Sequence, residues 1–302
     1  MNLRQRIMFI DSFIGFLRVE KNYSQHTLRA YANDLRSFQD YLAGVDESLS
    51  FPDVDADLVR GWMVELADDG AAPSSVSRKM SALRAFFDYL RREGHVDVNP
   101  AISLKNPKQR KRLPTFVKEE DMDYLLDELS FGEGYESCRD RMMIMCFYST
   151  GMRLSELIGL DVGDVDMERS VIKVFGKRSK ERMVPFGAEM KKEMENYLEQ
   201  RSAFSPQSSA LFLTRSGERV SQSLVYRMVR EKLSAVTSVG KKSPHVLRHS
   251  FATAMLNNDA EIGVVKELLG HERLATTEVY THLTFEELKK FYKKAHPRAG
   301  SN

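Results

Sequence analysis

From residue 9 to residue 90, apolar positions recur three and four apart, the spacing of helices that each bury one face. Phe9, Phe13, Phe16 and Leu17 form the first stripe. After Ser24, a residue suited to cap a helix, Leu28, Tyr31, Leu35, Phe38 and Leu42 form the second. Leu58, Trp62 and Leu66 mark a third, which ends near Gly70. The fourth runs through Val76, Met80, Leu83, Phe87 and Leu90, with Ser74 or Ser75 as its cap and Gly94 as its stop. Four such helices predict a small helix-bundle core.

The pattern breaks over residues 99–114, "NPAISLKNPKQRKRLP", where prolines and polar residues carry no periodicity. Lys105, Lys108, Arg110, Lys111 and Arg112 lie there with no acidic residue among them. The stretch reads as an interdomain tether, its charge either simply solvated or laid along a phosphate backbone. The expected domains are 1–104, a basic linker 105–114, and 115–302.

Past Pro114 helical spacing returns with one interruption. "SVIKVFG" and "RMVPF" are β-rich runs joined by "KRSKE", which predicts a hairpin. Helices are predicted over 188–201, 221–236 and 245–256, with shorter ones beyond Glu261. The expected fold is therefore mainly α, a four-helix N-terminal domain followed by a mostly helical domain with a small β-hairpin.

Composition narrows the class. A chain of 302 residues holds two ordinary domains, and 42% hydrophobic with 29% charged residues describes a globular protein. No apolar run approaches the roughly 20 residues that span a bilayer, and "MNLRQRIMFIDSF" carries charge where a signal peptide is apolar. Cys138 and Cys146 share one predicted helix, so no disulfide framework is expected and a cytoplasmic location is. A net charge of +2 says little about nucleic acid by itself.

Chemistry concentrates in a few polar residues: Arg153 in "STGMRLSEL", His245 and Arg248 in "HVLRHSFAT", His271 after "LLG", and Tyr280 in "TTEVYTH". Guanidinium forks match phosphate oxygens and keep their charge. Histidine moves protons near neutral pH, and a tyrosine hydroxyl can act as a covalent nucleophile. Together they suit attack on a phosphodiester without a metal. His249, four residues from His245, has no Cys, Asp or Glu at zinc-ligand spacing and is expected to be structural. No "GxxxxGK[ST]" loop or dense carboxylate cluster is present, so neither metal nor nucleotide cofactor is expected.

The motifs "TGMRLSEL", "GKRSKERMVP", "SPHVLRHSFAT", "LLGH", "TTEVYTH" and "AHPRA" resemble the phage-integrase, or tyrosine recombinase, family, in its bacterial XerC/XerD-like branch. "NYSQHTLRAYANDLRSF" is similar to that family's N-terminal SAM-like core-binding domain, so the likeness spans nearly the whole chain. It implies a catalytic site in which Tyr280 is the nucleophile and Arg153 and Arg248 clamp the scissile phosphate. Lys177, with Lys180 as the nearby alternative, would protonate the leaving 5′ oxygen. His245 would move the tyrosine proton and His271 would hydrogen-bond a non-bridging oxygen.

The resemblance also implies DNA contacts. Arg78, Lys79 and Arg84 beside the fourth stripe, and Lys108 and Arg110 in the linker, would meet mainly phosphate. Gln222, Arg227 and Arg230 would supply some sequence readout, with Lys241 and Lys242 nearby. It implies a homo- or hetero-tetramer on a double-stranded recombination site, with a second Xer-type recombinase as partner and a septal DNA translocase as activator. Chromosome dimer resolution is the expected purpose, and an integrase or excisionase of a phage or conjugative element is the alternative. "FEELKKFYKK" puts Phe285, Leu288 and Tyr292 on one helix face, docked either on its own domain or, as the resemblance implies, in a neighbouring protomer. Residues after Pro297 are expected to be dispensable.

Overall fold

The computed structural model describes residues 3–108, 115–176, 181–203, 208–270 and 284–300. It divides into two compact units, Met1–Arg112 and Leu113–Asn302.

The first unit contains α1 (Leu3–Val19), α2 (Gln25–Val45), α3 (Ala56–Asp68) and α4 (Pro73–Arg92). Ser24 caps α2 as its position suggests, its hydroxyl accepting the Thr27 N–H at 3.3 Å. For α4 the cap lies earlier than Ser74 or Ser75. The N-cap is Ala72 and Pro73 opens the helix, because a proline ring fixes the first helical φ and lacks the N–H a cap would satisfy. Gly94 ends that helix at φ +75°, a left-handed conformation that costs glycine little.

The stripes converge on an aromatic core. Phe38 meets Trp62 at 4.9 Å between ring centroids, and Phe51, on a 3₁₀ turn between α2 and α3, meets Phe86 edge-on at 4.7 Å. Truncating one such buried ring costs about 3–5 kcal/mol. The start of the proline-rich stretch belongs to this unit: Asn99 and Ala101 are buried. The Asn99 amide donates to the Arg84 carbonyl and to Asp88, both at 3.0 Å.

The second unit is built around α6 (Tyr135–Thr150), buried on every side from Met142 to Thr150, as befits a helix apolar all round. α5 (Glu119–Asp123) precedes it, continued by one π turn, and α7 (Leu154–Gly159) follows after Gly151, a left-handed C-cap at φ +61°. β1 (Val165–Asp166), β2 (Val171–Phe175) and β3 (Glu181–Pro185) form an antiparallel sheet in that order, with Ile172 opposite both Val165 and Val184. The hairpin strands match expectation; β1, only two residues long, has no periodicity to read.

α8 (Ala188–Ala203), α9 (Gln222–Val236), α10 (Pro244–Asn257), α11 (Ile262–Leu269) and α12 (Phe285–Ala295) complete the unit. Leu288, Tyr292 and Ala295 of α12 are buried against Phe251, Met255, Val264 and Leu268 of the same chain, with Phe291 beside them. α12 thus docks on its own domain. Its buried stripe begins at Leu288, and Phe285 lies outside it, only half-buried.

Arg298 and Ala299, in the stretch after Pro297 expected to be dispensable, are tied into the second unit. Arg298 is 7% exposed; it donates to Glu189 at 3.1 Å and to Asp127 at 2.5 Å. The Ala299 carbonyl accepts the Ala188 N–H at 3.2 Å.

Candidate active site

Arg248 lies within the apolar stripe of α10, among buried Pro244, Leu247, Phe251 and Met255. A guanidinium at a core-facing position must find acceptors there. It donates Nη1 to the Gly151 carbonyl at 2.6 Å and Nη2 to the Leu269 carbonyl at 2.7 Å. Burial, with the charge of Arg153 adding to it, pushes its pKa down to about 10, so it stays cationic at neutral pH.

Arg153 occupies the N-cap of α7, just past the Gly151 turn, and is half-buried. Its Nη2 donates to the Gly270 carbonyl at 2.9 Å and its Nη1 to Glu156 at 2.8 Å, while its backbone N–H donates to the other Glu156 oxygen at 2.7 Å. A third arginine joins them from β3: Arg182 sends Nε to the Leu268 carbonyl at 3.1 Å and both Nη atoms to Glu156 at 2.8 Å.

The carbonyls of residues 268, 269 and 270 therefore each hold one arginine. They are the last carbonyls of α11, which lack helical partners and carry the negative end of the helix dipole. That field offsets the mutual repulsion of three cations. Gly270 takes φ +63°, and a Cβ there would come within 3.2 Å of Arg182 Cδ.

Glu156 is the counter-charge, its side chain 1% exposed. Burial pushes its carboxyl up, but the hydrogen bonds and charge of Arg182, with the hydrogen bonds of Arg153, outweigh it and hold the pKa at about 2. A carboxyl lowered on folding contributes stability that is complete above its ordinary value near 4.5 and lost as pH falls toward 2. Glu156→Gln is therefore expected to flatten that acid limb in a circular-dichroism titration; an unchanged limb would refute the pairing.

His245 is exposed on α10 although Arg248, three residues on, is buried. Desolvation, then the charges of Lys241, Arg248, His249 and Arg153, lower its pKa below the usual histidine value. The neutral ring that results can accept a proton. His249, expected to be structural, is exposed. Lys177, His271 and Tyr280, with the alternative Lys180, lie outside the described residues. Among the described residues no three His, Cys, Asp or Glu side chains gather as metal ligands.

The structure thus brings Arg153, Arg248 and His245 to one place and adds Glu156 and Arg182, which sequence reasoning passes over. Glu156 is three residues from Arg153, a spacing that reads as ordinary helix capping. Arg182 sits in a strand whose alternation carries no sign of an acidic partner.

The proposed DNA contacts fall into two groups. Gln222, Arg227, Arg230 and Lys241 are exposed, Lys242 is half-buried, and Lys108 is exposed in the other unit; Arg110 lies outside the described residues. Arg78, its side chain 54% exposed, is hydrogen-bonded to buried Asp34, and Lys79 lies 3.9 Å from the same carboxylate and 5.6 Å above the Trp62 ring. Arg84 commits Nε to the Ala101 carbonyl at 3.0 Å and Nη2 to that of Leu104 at 2.7 Å, closing the end of the first unit.

Comparison with known proteins agrees with this architecture. The phage integrase family matches residues 115–287, and the phage integrase N-terminal SAM-like domain matches residues 10–94. The chain belongs to the phage integrase, or tyrosine recombinase, family, and it is a DNA recombinase. It falls in the XerC/XerD-like branch. Tyrosine recombinase XerC of Pelotomaculum thermopropionicum is 38% identical over 301 residues, covering 96% of this chain and 98% of the relative. That of Halalkalibacterium halodurans is 39% identical over 303 residues, covering 98% and 99%. Among solved structures, the XerH site-specific recombinase bound to palindromic difH substrate, a post-cleavage complex, superposes with a TM-score of 0.72. It shares 24% identity over 94% of this chain and 83% of that one. A lambda integrase(75-356) dimer bound to a COC′ core site gives 0.71 at 17% identity over 90% and 96%. These two likenesses concern the fold.

Proposed function

We propose that the chain cleaves and rejoins DNA at a specific duplex site through a 3′-phosphotyrosyl intermediate. The observation that carries the reading is the pair of guanidiniums, Arg153 and Arg248, fixed on consecutive carbonyls at the end of α11. They are held before any ligand arrives, and such preorganised charge is commonly the largest catalytic contribution.

Tyr280 attacks the phosphorus in line, forming the tyrosyl ester as the bond to the 5′ oxygen breaks. A free tyrosine has a pKa of about 10, so its proton must leave during attack. Neutral His245 assists that transfer, and Lys177 gives a proton to the departing 5′ oxygen. Arg153 and Arg248 neutralise charge that builds on the non-bridging oxygens, which His271 also contacts. The ester conserves the energy of the broken bond, so attack by a free 5′ hydroxyl reverses the step.

Exposed Gln222, Arg227 and Arg230 on α9, with Lys241 and Lys242, contact DNA from the second unit and supply some sequence readout; Arg78, Lys79, Arg84, Lys108 and Arg110 of the first unit contact mainly phosphate. The enzyme acts in the cytoplasm as a tetramer with a second Xer-type recombinase. The extent of likeness to the XerC relatives favours chromosome dimer resolution as its purpose, with a septal DNA translocase as activator.

The test is incubation with a nicked suicide duplex bearing a candidate site, in EDTA, followed by digestion and mass spectrometry. A denaturant-resistant adduct on the peptide containing Tyr280 supports the reading. Firm binding without an adduct, even beside a Xer-type partner, refutes it. Arg227→Gln with Arg230→Gln is expected to weaken duplex binding and lower the salt slope by about 0.9 for each phosphate the protein no longer neutralises. A slope equal to the wild-type value would remove α9 from the phosphate-binding surface.

A further inference from the structure

We propose that Arg182 is a positioning residue that neutralises Glu156 and so preserves the positive field of the two phosphate-binding arginines. The proposal rests on the assignment of Arg153 and Arg248 as that clamp.

Glu156 is a full negative charge with its side chain only 1% exposed, directly beside Arg153. Left alone with Arg153, it would cancel the charge that Arg153 must offer to phosphate. It would also draw the guanidinium toward itself and away from the Gly270 carbonyl. Arg182 prevents both by giving the carboxylate its own fork, one donor to each oxygen at 2.8 Å. Three arginines and one glutamate leave the cluster at a formal +2; without Arg182 it falls to +1, just where an anionic transition state needs cations.

Arg182 also ties three elements together. From β3 it reaches α7 through Glu156 and α11 through the Leu268 carbonyl. Its side chain is 15% exposed against 30% for Arg153, so its donors are spent inside the protein rather than offered to a ligand. A lysine would supply the charge but not the fork. One ammonium cannot hold both carboxylate oxygens and a carbonyl in the same geometry.

Single-turnover adduct formation on the nicked duplex tests this, with DNA affinity and thermal unfolding measured on the same preparations. Arg182→Met is expected to slow cleavage about 10–100-fold, by analogy with the residues that orient metal ligands from outside the coordination shell, with DNA affinity unchanged. Arg182→Lys should recover part of the rate. The deciding variant is the double Arg182→Met with Glu156→Gln. If Arg182 acts by neutralising Glu156, removing the carboxylate charge makes the double faster than Arg182→Met alone. A purely structural role makes the double slower, because two packing defects add. A double no faster than the single overturns the proposal, as do equal rates for wild type and Arg182→Met. Should Arg182→Met fail to fold, the same comparison runs with Arg182→Lys and its Glu156→Gln double. An adduct that forms on wild type while these comparisons fail leaves the cleavage reading standing; no adduct on wild type removes both.

Discussion

Arg248→Met is expected to slow strand cleavage by about 10²–10³-fold, the loss that follows removal of one preorganised donor from a developing anion. The substitution keeps the apolar stem, so the stripe of α10 stays filled, but deletes two hydrogen bonds to the carbonyls of Gly151 and Leu269. Those carbonyls terminate α6 and α11, and each buried orphan costs about 1–3 kcal/mol. The variant is therefore expected to melt earlier as well, and its rate must be measured well below its melting temperature. Arg248→Lys separates the two effects. It restores a cation and part of the stability, yet cannot reach two carbonyls and a phosphate with a single ammonium, so its rate should remain low. A folded Arg248→Met that cleaves within about threefold of wild type would remove Arg248 from the catalytic reading.

Truncation after Pro297 is expected to destabilise the second unit by about 1.5–3 kcal/mol, lowering its melting temperature by roughly 3–12 °C for a domain of this size. Arg298 bridges Glu189 and Asp127, and Ala299 pins the start of α8 through the Ala188 N–H. Upstream, His296 is buried between the rings of Phe251 and Tyr292, with Nε2 3.1 Å from the Tyr148 carbonyl and Nδ1 accepting the Arg298 N–H at 3.1 Å. Burial lowers the His296 pKa to about 4. A histidine buried neutral loses stability as pH falls, because below about 6.5 the unfolded chain takes up a proton that the folded state refuses until about 4. The full-length protein should therefore lose stability over pH 6.5 to 4, and truncation should diminish that slope. Equal melting temperatures for truncated and full-length protein would restore the view that the tail is dispensable.

The fold is legible where periodicity is long. The four N-terminal stripes, the helix capped by Ser24 and the helix stop at Gly94 each rest on several residues that agree. The α4 start departs from expectation because a proline at the first helical position outweighs a serine one step later. The site is half legible. Arg248 announces itself as a cation in an apolar stripe, but Glu156 and Arg182 meet only through a tertiary contact that reaches from β3 to α7. No local pattern encodes a contact between residues 26 apart. For α12 the stripe says that a face is covered, not by what; the chain covers it itself.

Each of the three arginines at the end of α11 leans on a peptide oxygen. A scaffold of that kind is nearly silent under alanine scanning: replacing Leu268 or Leu269 changes packing while the acceptor oxygens stay in place. Its chemistry would surface instead under backbone editing, since exchanging an amide for an ester weakens one carbonyl acceptor and leaves every side chain untouched. It also frees the helix surface to drift in evolution. What selection must keep here is the path of the main chain through residues 268–270.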